Sequence, residues 1–272
     1  MTDYISSRKR RNTISHASYI FLNISLAVIS TLVTVISGFW LFGVLIVLFS
    51  KWRVFAVRPR YWWPGIKANA VDIIVGISFV FLIYFTWTNS TNVGLANPIY
   101  FILTALYIIW LIVLKPKSDE KSTEIQALIA VFSGSFVTTL LATWDFGASI
   151  FIVIVTFLVA YSAFRHIVIQ MEYHQSNTIP IFAFSLIMAE MSWVAYHWSH
   201  VYSIDLKILP NFQLPQAAII ETILAFLFIH AYKSYLRHDN KITAHDILPP
   251  LIFSVLIMLI MIFFFSHLNI SI

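Results

Sequence analysis

Between Ser18 and Ser50 the chain carries no Asp, Glu, Lys or Arg, and that run settles the solvent in which the rest must fold. A helix at a water-facing surface needs a polar face; a segment this long without charge belongs in hydrocarbon, where about 20 apolar residues make one crossing. Seven more apolar runs follow, at residues 70–88, 98–114, 125–142, 146–164, 179–201, 214–232 and 247–267. Of the 272 residues 60% are hydrophobic and 11% charged, and the mean hydropathy is +0.84, outside the range of soluble domains. The longest stretches between runs, 51–69 and 201–212, fall far short of the roughly 50 residues a small domain requires. An attached ATPase, kinase or DNA-binding domain is thereby excluded.

The expected fold class is all-α: a polytopic transmembrane helical bundle of about nine spans. The count turns on residues 18–50, long for one span and short for two, and charge decides it. One span would put Lys51, Arg53, Arg58, Arg60 and Lys67 across the membrane from Arg8, Lys9, Arg10 and Arg11, against the excess of cations found on cytoplasmic loops. A tight hairpin turning at Ser37-Gly38 brings both groups to one side. With it, every one of the 17 Lys and Arg residues except Lys207 lies inside, with the N-terminus inside and the C-terminus outside. Trp52, Trp62, Trp63 and Trp110 then lie at the inner interface, and Trp87, Trp144 and Trp198 at the outer one, where indole rings prefer to sit. A re-entrant segment followed by one span is the alternative for 18–50. Residues 1–17 read as a basic cytoplasmic N-terminus, a retained signal anchor because the apolar run is too long for a cleaved leader, and residues 18–272 as one integral membrane domain. Cys is absent, so no disulfide, thiolate metal site or Cys nucleophile is available.

The net charge of +5 sits in short clusters beside apolar runs, which favours anionic lipid headgroups over nucleic acid. Lys51, Arg53, Arg58 and Arg60, interleaved with Trp62 and Trp63, form the densest cluster: a lipid- or partner-binding surface on one reading, a connecting loop that anchors two spans on the other. The stretch from Lys51 to Trp63, continued by Asn69-Ala70-Val71-Asp72-Ile73-Ile74-Val75-Gly76, resembles multipass membrane proteins of Saccharibacteria-like, reduced-genome bacteria. That resemblance implies a bacterial cytoplasmic membrane and carries no catalytic or binding role with it.

Ionisable groups inside hydrocarbon cost about 2.5 kcal/mol or more and need a reason. Glu190 lies about ten residues into the seventh span, roughly 15 Å deep at 1.5 Å per residue. Trp193, His197 and His200 fall within about 80° of it on one helical face. Glu221 enters the eighth span from the outer side, and the short connection makes the two helices neighbours, so a Glu221 to His197 hydrogen bond is expected; Asp145 joins the outer rim. Three readings compete: a polar cluster that holds helices together, a track for protons or a small solute reaching Glu190, or a metal site with His197, His200 and Glu221 as ligands and Glu190 as base. No His-Glu-x-x-His signature, phosphate-cradling glycine loop or nucleophilic Ser context occurs, and no cofactor is assigned. His230 lies about 180° from Glu221 on its helix. Arg165, His166, Glu172 and His174 mark a solvated helix end, with a gate at an inner exit as the alternative, and Asp72 beside Lys67 and Asn69 reads as a cap or interface ion pair. The sequon Asn89-Ser90-Thr91 has meaning only in a eukaryotic host. The expected role is therefore a small-solute or proton-linked permease-like unit, or a membrane assembly component, with a metal-dependent intramembrane enzyme as a further class. The expected partners are the bilayer, its anionic inner-face lipids, and another membrane protein or a second copy.

Reporter fusions test the charge count directly: a reporter at Ser118 should read as cytoplasmic and one after Ile272 as external, and a cytoplasmic reading at Ile272 would remove the odd number of spans.

Overall fold

The computed structural model describes residues 2–89, 98–143, 149–171, 178–198, 201–206, 209–238 and 241–265. The chain forms α1 (Thr2–Ser37), α2 (Trp40–Phe49), the short α3 (Trp52–Phe55), a 3-10 turn (Pro59–Tyr61), α4 (Trp62–Ala68), α5 (Ala70–Asn89) and α6 (Pro98–Ile109), which runs on into a π turn (Trp110–Leu114). It continues as α7 (Glu120–Thr143), α8 (Ser149–Met171), α9 (Thr178–Trp198), strands β1 (Val201–Leu206) and β2 (Leu209–Pro215), α10 (Gln216–Arg237) and α11 (Ala244–Phe265). Among the described residues seven helices are long and apolar enough to cross a membrane, and two apolar helices, Trp40–Phe49 and Pro98–Leu114, are shorter. Large side chains such as Phe101, Leu158, Leu186, Phe253 and Leu256 lie exposed on the outside of the bundle, the surface a lipid solvent requires. This is the make-up of a multipass membrane protein.

Residues 18–50 break where glycine allows it. Gly38 has φ +61, a left-handed conformation that a Cβ would penalise, and the chain reverses there. α2 then descends antiparallel to α5: Gly38 lies against Trp87, Trp40 stacks on Phe81 at 5.0 Å, Gly43 meets Val80, Gly76 meets Val47, and Lys51 reaches Asp72. Between Trp87 and Asp72 the helix rises about 22 Å, so α2 with its flanks covers most of the depth of α5 although only Trp40–Phe49 is helical.

Two cores result. Ala27, Val44, Val47, Val75, Val80, Ile83, Tyr107 and Leu111 tie α1, α2, α5 and α6 together. Phe164, Ile167, Ile181, Phe184, Met188, Ala225 and Ile229 tie α8, α9 and α10. Phe85, Phe136, Leu140 and Ala218 bridge the halves through α5, α7 and α10. Buried hydroxyls return to their own helices, as Thr34 does to the Ser30 carbonyl at 2.7 Å and Ser185 to Ile181 at 2.6 Å, which satisfies them without water. Thr31 and Thr104 instead bond across α1 and α6 at 2.8 Å. The first core closes on Gly43 and Gly76, where neighbouring side chains approach too near for any Cβ.

The connection between α9 and α10 is an antiparallel β-hairpin, Val201 opposite Pro215 and Ile204 opposite Phe212. The alternation Val-Tyr-Ser-Ile suits a strand, and Pro215 ends it because it has no amide proton to continue the ladder. α11 starts at Ala244, so Pro249 and Pro250 fall inside its second turn. Asp119 caps α7 by accepting from the Ser122 amide at 3.2 Å; the Ser122 bonds hold its carboxyl below the ordinary Asp range.

Gly76→Val would drive a side chain into Val47, 2.6 Å from where its Cβ would lie, and Tyr107 Oη, 2.9 Å away. The expected cost is about 1–3 kcal/mol, read as a lower thermal midpoint in detergent, and an unchanged midpoint would show that α2 and α5 do not close here.

Candidate functional site

The deepest carboxylate is Glu221. It lies five residues into α10, is 2% exposed, and accepts a hydrogen bond on Oε2 from Ser135 Oγ of α7. Its other side lines a cavity of about 100 Å³ between α9 and α10, walled by Met191, Val194 and Ala195 and by Gln216, Ala217 and Ile220. The hydroxyl of Ser135 thus takes the place expected of His197. A dense hydroxyl run, Ser133, Ser135, Thr138 and Thr139, inside the apolar stretch of α7 was the available signal, and it went unused because Ser and Thr commonly bond their own helix, as Thr138 and Thr139 do to the Ser135 carbonyl.

Glu190 and Glu221 occupy different places. Glu190 is exposed on the outward face of α9, with Trp193 and His197 also exposed; the Trp193 and His197 rings pack edge to face at 4.8 Å. The opposite face of α9, with Phe184, Met188, Ala189 and Ser192, is buried. One helix therefore turns its ionisable groups away from the bundle and its small and apolar groups into it. His200 and Asp145 lie outside the described residues. Among the described residues no three His, Asp or Glu side chains come together as metal ligands do.

A second polar centre lies at the cation-rich end. Asp72, buried at the start of α5, pairs with buried Lys51, with Lys115 at 2.8 Å, and with Trp110 Nε1 at 3.1 Å. The π turn makes this possible: by bonding Lys115 N to Trp110 O at 2.8 Å it adds a residue to the last turn of α6 and brings both side chains onto one carboxylate. Asp72 therefore closes α2, α5 and α6 together, beyond the capping role its neighbours Lys67 and Asn69 implied. Burial, and then the neighbouring Lys115, push the pKa of the Lys51 ammonium down to about 7. Lys51 is withdrawn from the basic aromatic surface, while Arg53, Arg58 and Arg60 remain exposed with Trp62 and Trp63. Trp62 Nε1 donates to Val57 O at 2.9 Å, Arg60 stacks on Tyr61 and Lys67 over Trp63.

Several other ionisable groups at this end tie helices. His166 of α8 bonds Gln126 at 2.8 Å, and Gln126 donates to the carbonyls of Leu114 and Lys117. Lys233 of α10 bridges Glu124 and Glu120 of α7. Arg165 reaches the Lys67 carbonyl, and His230 turns back on Phe226 of its own helix. Glu172 and His174 lie outside the described residues.

Replacing Glu221 by Gln keeps an acceptor for Ser135 and should leave stability nearly unchanged, whereas Leu orphans the hydroxyl and should cost about 1–3 kcal/mol; equal tolerance of the two, measured by thermal unfolding in detergent, would remove the bond from the account. No family model, curated protein or solved structure matches the chain, and the functional reading rests on the residues themselves.

Proposed function

We propose that the protein is a nine-span component of a bacterial cytoplasmic membrane, N-terminus inside and C-terminus outside, that serves as an assembly unit rather than a conduit. The observation that carries this reading is Glu190. An ionisable group about 18 Å along α9 from Thr178, on an exposed face among Leu186, Ile187 and Trp193, is costly against lipid and is accommodated once another membrane helix covers it. Nine crossings are supported by α2 and α6, which both run antiparallel to α5 between its two ends. The orientation is supported by Lys51, Lys67, Lys115, Arg165 and Lys233 lying at one end of the bundle, the end expected to face the cytoplasm. The bacterial setting follows the resemblance of residues 51–76. At the inner face, Arg53, Arg58 and Arg60 with Trp62 and Trp63 form the contact with anionic lipid.

A second reading, a small-solute or proton-linked permease, is favoured by the cavity that meets Glu221 between α9 and α10. In it Glu221 would be the loading group and Glu190 would have no part.

Native mass spectrometry of the protein extracted with its surrounding lipid separates the two. A particle of more than one polypeptide is expected, retaining anionic lipid that the Arg58→Gln, Arg60→Gln double variant holds more weakly by about 1 kcal/mol per charge removed. A lone polypeptide together with Glu221-dependent proton or solute flux in vesicles would overturn the assembly reading in favour of the permease.

A further inference from the structure

The exposed residues of α9 are not scattered. Ile179, Ala183, Leu186, Glu190, Trp193 and His197 are all exposed, with Ile179 at 74%, Leu186 at 54% and Trp193 at 51%. Their spacing alternates four and three along the whole helix. That is the heptad seam of a left-handed helix pair, in which residues recurring every 3.5 positions stay on the line of contact. Phe182 and Ile187, exposed as well, flank this line, whereas Ile181, Phe184, Ser185, Met188 and Ser192 are buried against the rest of the bundle. The seam is thus a second, separate face with its own period.

We infer that this seam is a contact with the same seam of a second copy of the chain, the two α9 helices lying parallel. The inference rests on the assembly reading and names its partner. Two copies inserted in one membrane share an orientation, so a two-fold axis along the membrane normal sets residue n of one helix opposite residue n of the other. Glu190 then faces Glu190 at equal depth. Two carboxyls in that position can close a hydrogen-bonded pair across the seam with no foreign group. On a seam that is otherwise apolar except for His197 near its end, Glu190 also fixes register, because any slip leaves both carboxyls in hydrocarbon. Ala183, small and about one turn from Ile179 and from Leu186 on the seam, lets the backbones approach. The exposed face of α11 supplies the contrast: Leu251, Ile252, Phe253, Val255 and Leu256 carry no polar atom, and lipid covers them without cost.

The chain has no cysteine, so single cysteines can be placed without background. In native membranes, Leu186→Cys and, separately, Ala183→Cys should be joined by a short bis-maleimide into a product of twice the chain mass, whereas Ile252→Cys on α11 should not. Adding Glu190→Gln should preserve the product and adding Glu190→Ala should lower the dimerisation constant about tenfold, the order of one interhelical hydrogen-bonded pair. A dimer product equal in the Glu190→Ala background would overturn the part given to Glu190. Adducts to a different polypeptide would overturn the second copy while leaving the assembly reading intact. No adduct from either seam cysteine, with a lone chain by native mass spectrometry, would overturn both.

Discussion

A polar group inside a bilayer has no water to return to, so it must find its partner within the protein. Backbone groups are satisfied inside helices, and most buried side chains follow suit: Thr34, Ser185 and Ser192 bond carbonyls three or four residues back. The side chains that cannot do this locally are the ones that set the tertiary arrangement. Asp72 draws Lys51, Trp110 and Lys115 to itself and so binds α2, α5 and the end of α6. Glu221 draws Ser135 and binds α10 to α7, and Lys233 does the same at the other end of that helix pair through Glu124. The hydroxyls of Tyr100, Tyr107 and Thr156 are buried with no hydrogen-bond partner, a modest penalty for neutral groups beside that of an unpaired ion.

The same demand explains where α9 differs from its neighbours. α7 and α10 turn their carboxylates inward to partners, whereas α9 turns Glu190 outward. In a soluble protein an exposed glutamate needs no comment. Here the exterior is an aliphatic and aromatic surface, on which a carboxyl is costly against lipid. The cavity at Glu221 is a different matter: it lies between helices of one chain, is walled mostly by apolar groups, and reaches a carboxylate already held by Ser135.

The basic aromatic segment shows how one ion pair sorts a cluster into roles. Five cations in a row of 17 positions look alike as letters. Once Lys51 is committed to Asp72 and Lys67 lies over Trp63, Arg53, Arg58 and Arg60 are those left exposed. The Arg165 guanidinium on the Lys67 carbonyl fastens the far end of the segment to α8, so the arginines are presented from a braced connection.

Much of the helical plan was readable from residue order alone, because hydrophobic run length and charge sidedness are local properties averaged over many residues. The break at Gly38, the starts near Pro98 and Gln216, and the gathering of Lys and Arg at one end all follow from them. The face on which Glu190 and His197 lie was also legible, since a helix fixes the angle between residues in sequence. Which way that face turns was not. Periodicity relates residues on one helix to one another but carries no information about the neighbour each will meet, and so Ser135 rather than His197 holds Glu221, Lys115 joins Lys51 on Asp72, and residues 201–215 pair as strands. Those outcomes depend on interhelical distances of a few ångströms, which only packing decides.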